Sequence, residues 1–167
     1  MNGSAEALTA IRYRLPCLAD GGEIWKLVRD SRKLDLNTPY FYLTMSHWFS
    51  QSCRVAEETE SGSIIGLVTG FRQPSQPDTL FVWQIAVDER YRGRGIARGL
   101  LDHVADYPDI LFIEATISPS NDSSKGLFKR WATSKNALIS VSAGFMEDDF
   151  PYQKHEREDL YRIGPLK

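Results

Sequence analysis

Residues 82–104, VWQIAVDERYRGRGIARGLLDHV, decide the fold. The apolar, β-branched run Leu80 to Val87 stops at Asp88. A basic turn with two glycines follows, Arg90-Tyr91-Arg92-Gly93-Arg94-Gly95. Ile96, Leu100, Leu101 and Val104 then recur at helical spacing, so the segment reads strand, tight turn, helix. Gly93 and Gly95 allow positive φ and close approach of the backbone to a ligand. The first N–H groups of the helix lack intrahelical partners and favour an anion. With Arg90, Arg92 and Arg94 around it, the turn reads as a phosphate-binding device for a phosphate-bearing cofactor.

Other glycine motifs fit less well. No G-x-x-x-x-G-K-[ST] run exists, and Gly93, Gly95 and Gly99 miss the G-x-G-x-x-G spacing of dinucleotide sites. A purely structural turn is the bland alternative. At 167 residues the chain is expected to form one domain, 1–167, with a sizeable core. The net charge of −2 gives no bulk attraction to nucleic acid or anionic membrane. No membrane-spanning run or secretory signal is visible, and two cysteines make no disulfide framework. A cytoplasmic location is expected. His47, His103 and His155 are dispersed, so no metal is expected.

Working outward, residues 11–15 read as a strand, 22–31 as an amphipathic helix, and 34–41 as an Asn/Pro-bearing connection. A second helix is expected over 42–49. Residues 53–58 and 63–71 pair as a hairpin, and 71–78 read as a loop with two prolines. After the glycine-turn helix come a strand over 110–117 and a helix over 121–131 capped by Ser120 or Asn121. Residues 138–143 are strand-like, 144–158 polar and irregular, and 159–163 a last strand. The alternation predicts a mixed α/β sheet of about seven strands with flanking helices.

The strand VWQIAVD followed by Arg90-x-x-Gly93-x-Gly95 resembles the pyrophosphate signature of the GNAT acetyltransferase superfamily, and the element order is similar over nearly the whole chain. That likeness implies the GNAT fold, with acetyl-coenzyme A in a gap between splayed fourth and fifth strands. Ile85, Ala86 and Val87 would pair with the pantetheine arm. Arg92, Gly93, Arg94, Gly95, Ile96 and Ala97 would hold the pyrophosphate. Asn121 and Ser124 would contact the cofactor from the next helix. Phe128 stands against the cofactor where many members carry a tyrosine that protonates the departing thiolate. Phenylalanine has no proton to give, so the thiolate would leave with help from N–H groups, water or another side chain.

Four blocks together, LDLNTPYFYL, VWQIAVD, ATISPSN and HEREDLYRI, resemble the L-2,4-diaminobutyrate acetyltransferases of ectoine biosynthesis. The implied reaction moves acetyl from acetyl-coenzyme A to the γ-amine of a small diamino acid. An acceptor with two amines and one carboxylate needs carboxylates or carbonyls for its ammonium groups. Asp35, with Asn37 and Tyr40 nearby, is the candidate ammonium contact; it otherwise caps a turn. Trp83, in the alternation Phe81, Trp83, Ile85, is a candidate substrate wall or plain core. Glu114 lies inside the apolar strand LFIEATI and needs a wet cleft or an internal ion pair. His155 and Glu158 belong to a charge run that ordinarily marks a solvated face, but the resemblance places them beside the acceptor.

The expected mechanism is direct attack of the neutral amine on the thioester. The N–H of Ile85 or Val87 would hold the oxyanion, and Glu114, Glu158 or His155 would take the proton. An acetyl-cysteine route is weaker, since neither cysteine falls in the inferred cleft. The α-amine is less basic than the γ-amine, so protonation alone would not select the γ-position; positioning must. Two other readings remain: a GNAT enzyme for another amine, and a non-catalytic acetyl-coenzyme A sensor suggested by Phe128. The resemblance also implies a homodimer.

Overall fold

The computed structural model describes residues 10–151 and 154–166. The N-terminal residues read for a secretory signal, and Tyr152 and Gln153 in the polar segment, lie outside these. Seven strands and four helices follow in the order β1 (Ile11–Arg14), α1 (Gly21–Ser31), α2 (Pro39–His47), β2 (Arg54–Glu58), β3 (Ile64–Gln73), β4 (Gln76–Val87), α3 (Ile96–Val104), β5 (Phe112–Ile117), α4 (Asp122–Ser134), β6 (Ile139–Phe145) and β7 (Glu158–Ile163). One mixed sheet runs β1-β2-β3-β4-β5-β7-β6. β4 and β5 are parallel; every other pair is antiparallel.

Two apolar layers cover the sheet. On one face Ile96, Leu100, Leu101 and Val104 of α3 and Phe128, Trp131 and Ala132 of α4 pack on Leu80, Val82, Ile113, Ala115 and Ile117. On the other, Ile24 and Val28 of α1 and Tyr42 of α2 pack on Val55, Leu67 and Ala86. The i, i+4 spacing of these helix residues is why single apolar stripes suffice.

Two expectations change. Residues 71–78 are not a loop: β3 turns directly into β4 through Pro74 and Ser75, with Gln73 opposite Gln76. Pro74 supplies the φ a tight turn needs. Pro77 lies in the irregular stretch before Leu80 meets Arg72, where its missing N–H costs the ladder nothing. The alternation Phe81, Trp83, Ile85 is also broken. Gly70 faces Val82 and Thr69 faces Gln84, so Trp83 is the extra residue of a β-bulge. Trp83 and Gln84 therefore both face α1 and α2, whereas Ile85 and Val87 pack toward α3.

An ion network ties β1 to β2. Arg14 donates to Glu57 at 2.6 Å and to Asp20 at 2.7 and 2.9 Å, and Arg12 reaches Glu57 at 2.5 Å. Burial alone would raise the Asp20 carboxyl, but Arg14 and the Cys17 N–H outweigh it and hold it below its ordinary value. Arg14, opposed by desolvation and aided by Arg12, lowers Glu57 too. Depressed folded values add stability above the unfolded carboxylate pKa of about 4 that is lost as pH falls through the folded values. The urea midpoint is therefore expected to drop steeply below about pH 4. Arg14→Met should lower the midpoint at pH 7 and flatten that acid dependence, as urea titrations across the range would record.

Candidate active site

β4 and β5 pair over three residues only, Thr79 with Phe112, Leu80 with Ile113 and Phe81 with Glu114. Beyond Phe81 the strands part. The Asp88 N–H bonds Ile65 of β3. By antiparallel alternation the polar backbone groups of Ile85 and Val87 then turn away from β3, into the gap, while those of Ala86 point to β3. Of the three residues expected to offer their backbone, Ala86 thus turns its polar groups to β3 and its side chain into the α1/α2 layer.

A cavity of about 540 Å³ runs along this gap. β4 contributes Ile85, Ala86 and Val87. The turn contributes Arg92, Gly93 and Gly95, and the first turn of α3 contributes Ile96 and Ala97. Asn121, the residue before α4, joins Ser124 and Arg130 of that helix, and Lys33 also lines the cavity. Gly93 and Gly95 have φ of 76° and 77°, and no atom lies within 4 Å of where a Cβ would stand on either. Both the backbone shape and the open space above it require glycine. No side chain caps α3, so its first N–H groups face the cavity. α4 differs: the Asn121 side chain accepts from the Ser124 N–H at 3.1 Å, so Asn121 rather than Ser120 is the cap.

The turn's arginines divide their work. Arg90 is bound to Asp88 at 2.7 Å, and its guanidinium holds the Asp88 carboxyl below its usual value. Arg94 lies over the Tyr91 ring at 5.3 Å and does not line the cavity. Arg92, Lys33, Arg98 and Arg130 supply the cavity's positive charge. The structure thus provides what a polyanion with an extended, amide-bearing arm needs. Phe128 does not line the cavity; it is 2% exposed in the core beneath α4. Position 128 therefore presents no hydroxyl to the cavity, and the side chain there fills the layer between α4 and the sheet.

A second group of polar residues collects on the α1/α2 face of the sheet. Trp83 is 49% exposed, with Phe41 at 5.4 Å and Phe71 at 6.4 Å between ring centroids. Asp35 and Asn37 sit in the loop before α2, and Tyr40 stands exposed in its first turn. From across the gap comes the segment before β7. His155 stacks on Phe150 at 3.9 Å and brings its Nε2 to 3.7 Å from the Asp35 carboxylate. Its Nδ1 donates to the Glu156 carbonyl at 2.6 Å, which leaves Nε2 facing Asp35. Glu158 opens β7, and Ser118 at the end of β5 donates to its Oε1 at 2.9 Å.

Glu114 does not join this group as a free acid. It is bound by Arg162 at 2.5 Å and by the Gln73 side chain, so the internal ion pair wins over the cleft. Neither cysteine lines the cavity, and burial pushes the Cys53 thiol up to about 12. Among the described residues no group of three or more His, Cys, Asp or Glu is placed to share a metal ion. No described helix is long and apolar enough to cross a membrane. The sequence reading missed Ser118, Phe150 and Gln84. Only Gln84, a lone amide in an apolar strand, carried a signal.

Residues 22–132 match the acetyltransferase (GNAT) family model. The L-2,4-diaminobutyric acid acetyltransferase of Marinococcus halophilus is 40% identical, with 99% of this chain and 96% of that protein covered. That of Streptomyces coelicolor is 44% identical over 90% and 91% of the two chains. Among solved structures, diaminobutyrate acetyltransferase EctA from Paenibacillus lautus, in complex with its substrate L-2,4-diaminobutyric acid and coenzyme A, superposes with a TM-score of 0.87. It is 40% identical and covers 94% of this chain and 96% of its own. Ard1 from Thermoplasma volcanium shares the fold alone, with a TM-score of 0.70 at 17% identity.

Proposed function

The chain belongs to the GNAT acetyltransferase family and, within it, to the L-2,4-diaminobutyrate acetyltransferases, and from that premise we propose how its residues divide the work. The enzyme transfers acetyl from acetyl-coenzyme A to the γ-amine of L-2,4-diaminobutyrate, giving the N4-acetyl precursor of ectoine. One observation supports this most: a cavity along the β4/β5 gap with an anion-binding glycine turn, in a fold that also brings His155 to Asp35.

The pantetheine arm lies against the Ile85 and Val87 backbone as an added strand. The pyrophosphate sits on the N–H groups from Arg92 to Ala97, with the Arg92 side chain nearby. Asn121 and Ser124 face the arm from α4. In the acceptor pocket the Trp83 ring forms a wall for an ammonium, which is drawn to its π-face. Asp35 holds the α-ammonium, with Asn37 and Tyr40 beside it, and so keeps the α-amine away from the thioester.

Glu158 is the base. Ser118 occupies its Oε1 and leaves Oε2 to receive the γ-ammonium's proton. His155 faces the Asp35 carboxylate across the pocket. The freed amine attacks the carbonyl, and the Ile85 or Val87 N–H meets the oxyanion. A thiol of pKa about 8.5 then leaves without a tyrosine. The test is thiol release from acetyl-coenzyme A with diaminobutyrate, with the acetyl position read by NMR. Acetyl on the γ-nitrogen supports the assignment; release with other amines but not this one overturns the acceptor.

The enzyme works as a homodimer in the cytoplasm. The edge strand β6 supports pairing of two copies: Ile139, Val141 and Phe145 are 37%, 52% and 54% exposed, an apolar edge that proteins ordinarily cover. Val141→Lys is expected to halve the mass seen by light scattering; an unchanged mass would move the interface elsewhere.

A further inference from the structure

Gln84 is 6% exposed and Tyr42 is fully buried, yet neither side chain touches the reacting groups assigned above. Buried polar side chains need partners, and these two find each other. The Tyr42 hydroxyl donates to Gln84 Oε1 at 2.9 Å. Gln84 Nε2 donates to the backbone carbonyl of Asp35 at 2.6 Å. The Asn37 N–H reaches the Tyr42 hydroxyl at 3.4 Å. These links join β4, α2 and the loop between α1 and α2. Two apolar side chains would fill the same space, but only polar ones meet the backbone of this loop.

We propose that Gln84 and Tyr42 are positioning residues for acceptor choice, a buried brace that fixes the backbone of the Asp35–Asn37 loop over the acceptor pocket. The inference rests on the acceptor reading above. Residues 32–38 belong to no helix or strand, and such loops move unless tied down. The Asp35 side chain is 96% exposed, so packing does not set where its carboxylate stands. Its backbone does, and Gln84 holds that backbone. Gln84 faces the loop because the bulge at Trp83 turns both residues to one face. The same kink that presents the Trp83 ring to the acceptor thus anchors the loop facing that ring. Choosing the γ-amine over the α-amine is a matter of position, where an error of about 1 Å can cost about 100-fold in rate.

Gln84→Leu keeps the side-chain size and removes both hydrogen bonds. It is expected to raise KM for diaminobutyrate about tenfold, equivalent to about 1.4 kcal/mol, and to let some α-N-acetyl product appear by NMR. Coenzyme A affinity, measured by calorimetry, should stay within about twofold, because neither Gln84 nor Tyr42 lines the cofactor cavity. Tyr42→Phe keeps the ring and cuts two of the links; it should shift KM in the same direction and carries the test if Gln84→Leu does not fold. In an Asp35→Asn background Gln84→Leu should add less than about twofold, since both changes act through one contact. Full additivity where Asp35→Asn itself raises KM, a parallel loss of coenzyme A affinity, or an unchanged KM in both single variants would overturn the brace. If Asp35→Asn is silent while Gln84→Leu still raises KM, the assignment of Asp35 fails and the brace stands, acting through the rest of the loop.

Discussion

Glu114→Ala is expected to lower the stability of the fold by about 3 kcal/mol, near the lower end of the 3–5 kcal/mol typical of a broken buried ion pair. The Glu114 side chain is only 8% exposed, against 29% for Arg162. Arg162 also lies 3.8 Å above the Phe112 ring and reaches Thr79 and Gln76 at 3.3 Å. Alanine would leave that guanidinium without its counter-charge and the Gln73 amide without its acceptor. The position matters as well, since Glu114 sits in the last residue pair that β4 and β5 share. For a chain of this size the melting temperature should fall by about 6–12 °C. Glu114→Leu combined with Arg162→Met removes both charges and should recover most of the loss. Calorimetry on the three proteins decides it; a change under about 0.5 kcal/mol in Glu114→Ala would show that water already screens the pair.

Glu158→Gln is expected to lower kcat by about 10²–10⁴, the usual contribution of a positioned general base. The side chain lies at the strand's edge rather than in the core, so folding should be preserved. Coenzyme A affinity should hold, because Glu158 does not line the cofactor cavity. Glutamine keeps the hydrogen bond from Ser118 but accepts no proton. A normal kcat with a raised KM for diaminobutyrate would make Glu158 a binding group and move the base role to His155.

The strand, glycine turn and α3 were legible in residues 82–104 because local chemistry sets all three. Apolar β-branched residues, positive-φ glycines and an amphipathic stripe need no distant partner to be read. The bulge was not legible. Trp83 and Gln84 suit a regular strand equally well, and what displaces them is the pairing with Thr69 and Gly70 across the hairpin turn. Glu114 showed the same limit. Its burial cost was plain, but the arginine that resolves it lies 48 residues on. Phe128 was correctly read as lacking a hydroxyl, yet only the packing of α4 reveals that it belongs to the core.

The three-pair seam between β4 and β5 also makes the sheet two rafts joined by a short hinge. β1 to β4 form one raft and β5 to β7 the other, each stitched by long antiparallel ladders. A ligand laid along the gap as a strand would bridge them. Occupancy at 100 times Kd would then add about 2.7 kcal/mol against opening. Amides flanking the gap should gain slow hydrogen exchange together, on both sides, as coenzyme A fills it.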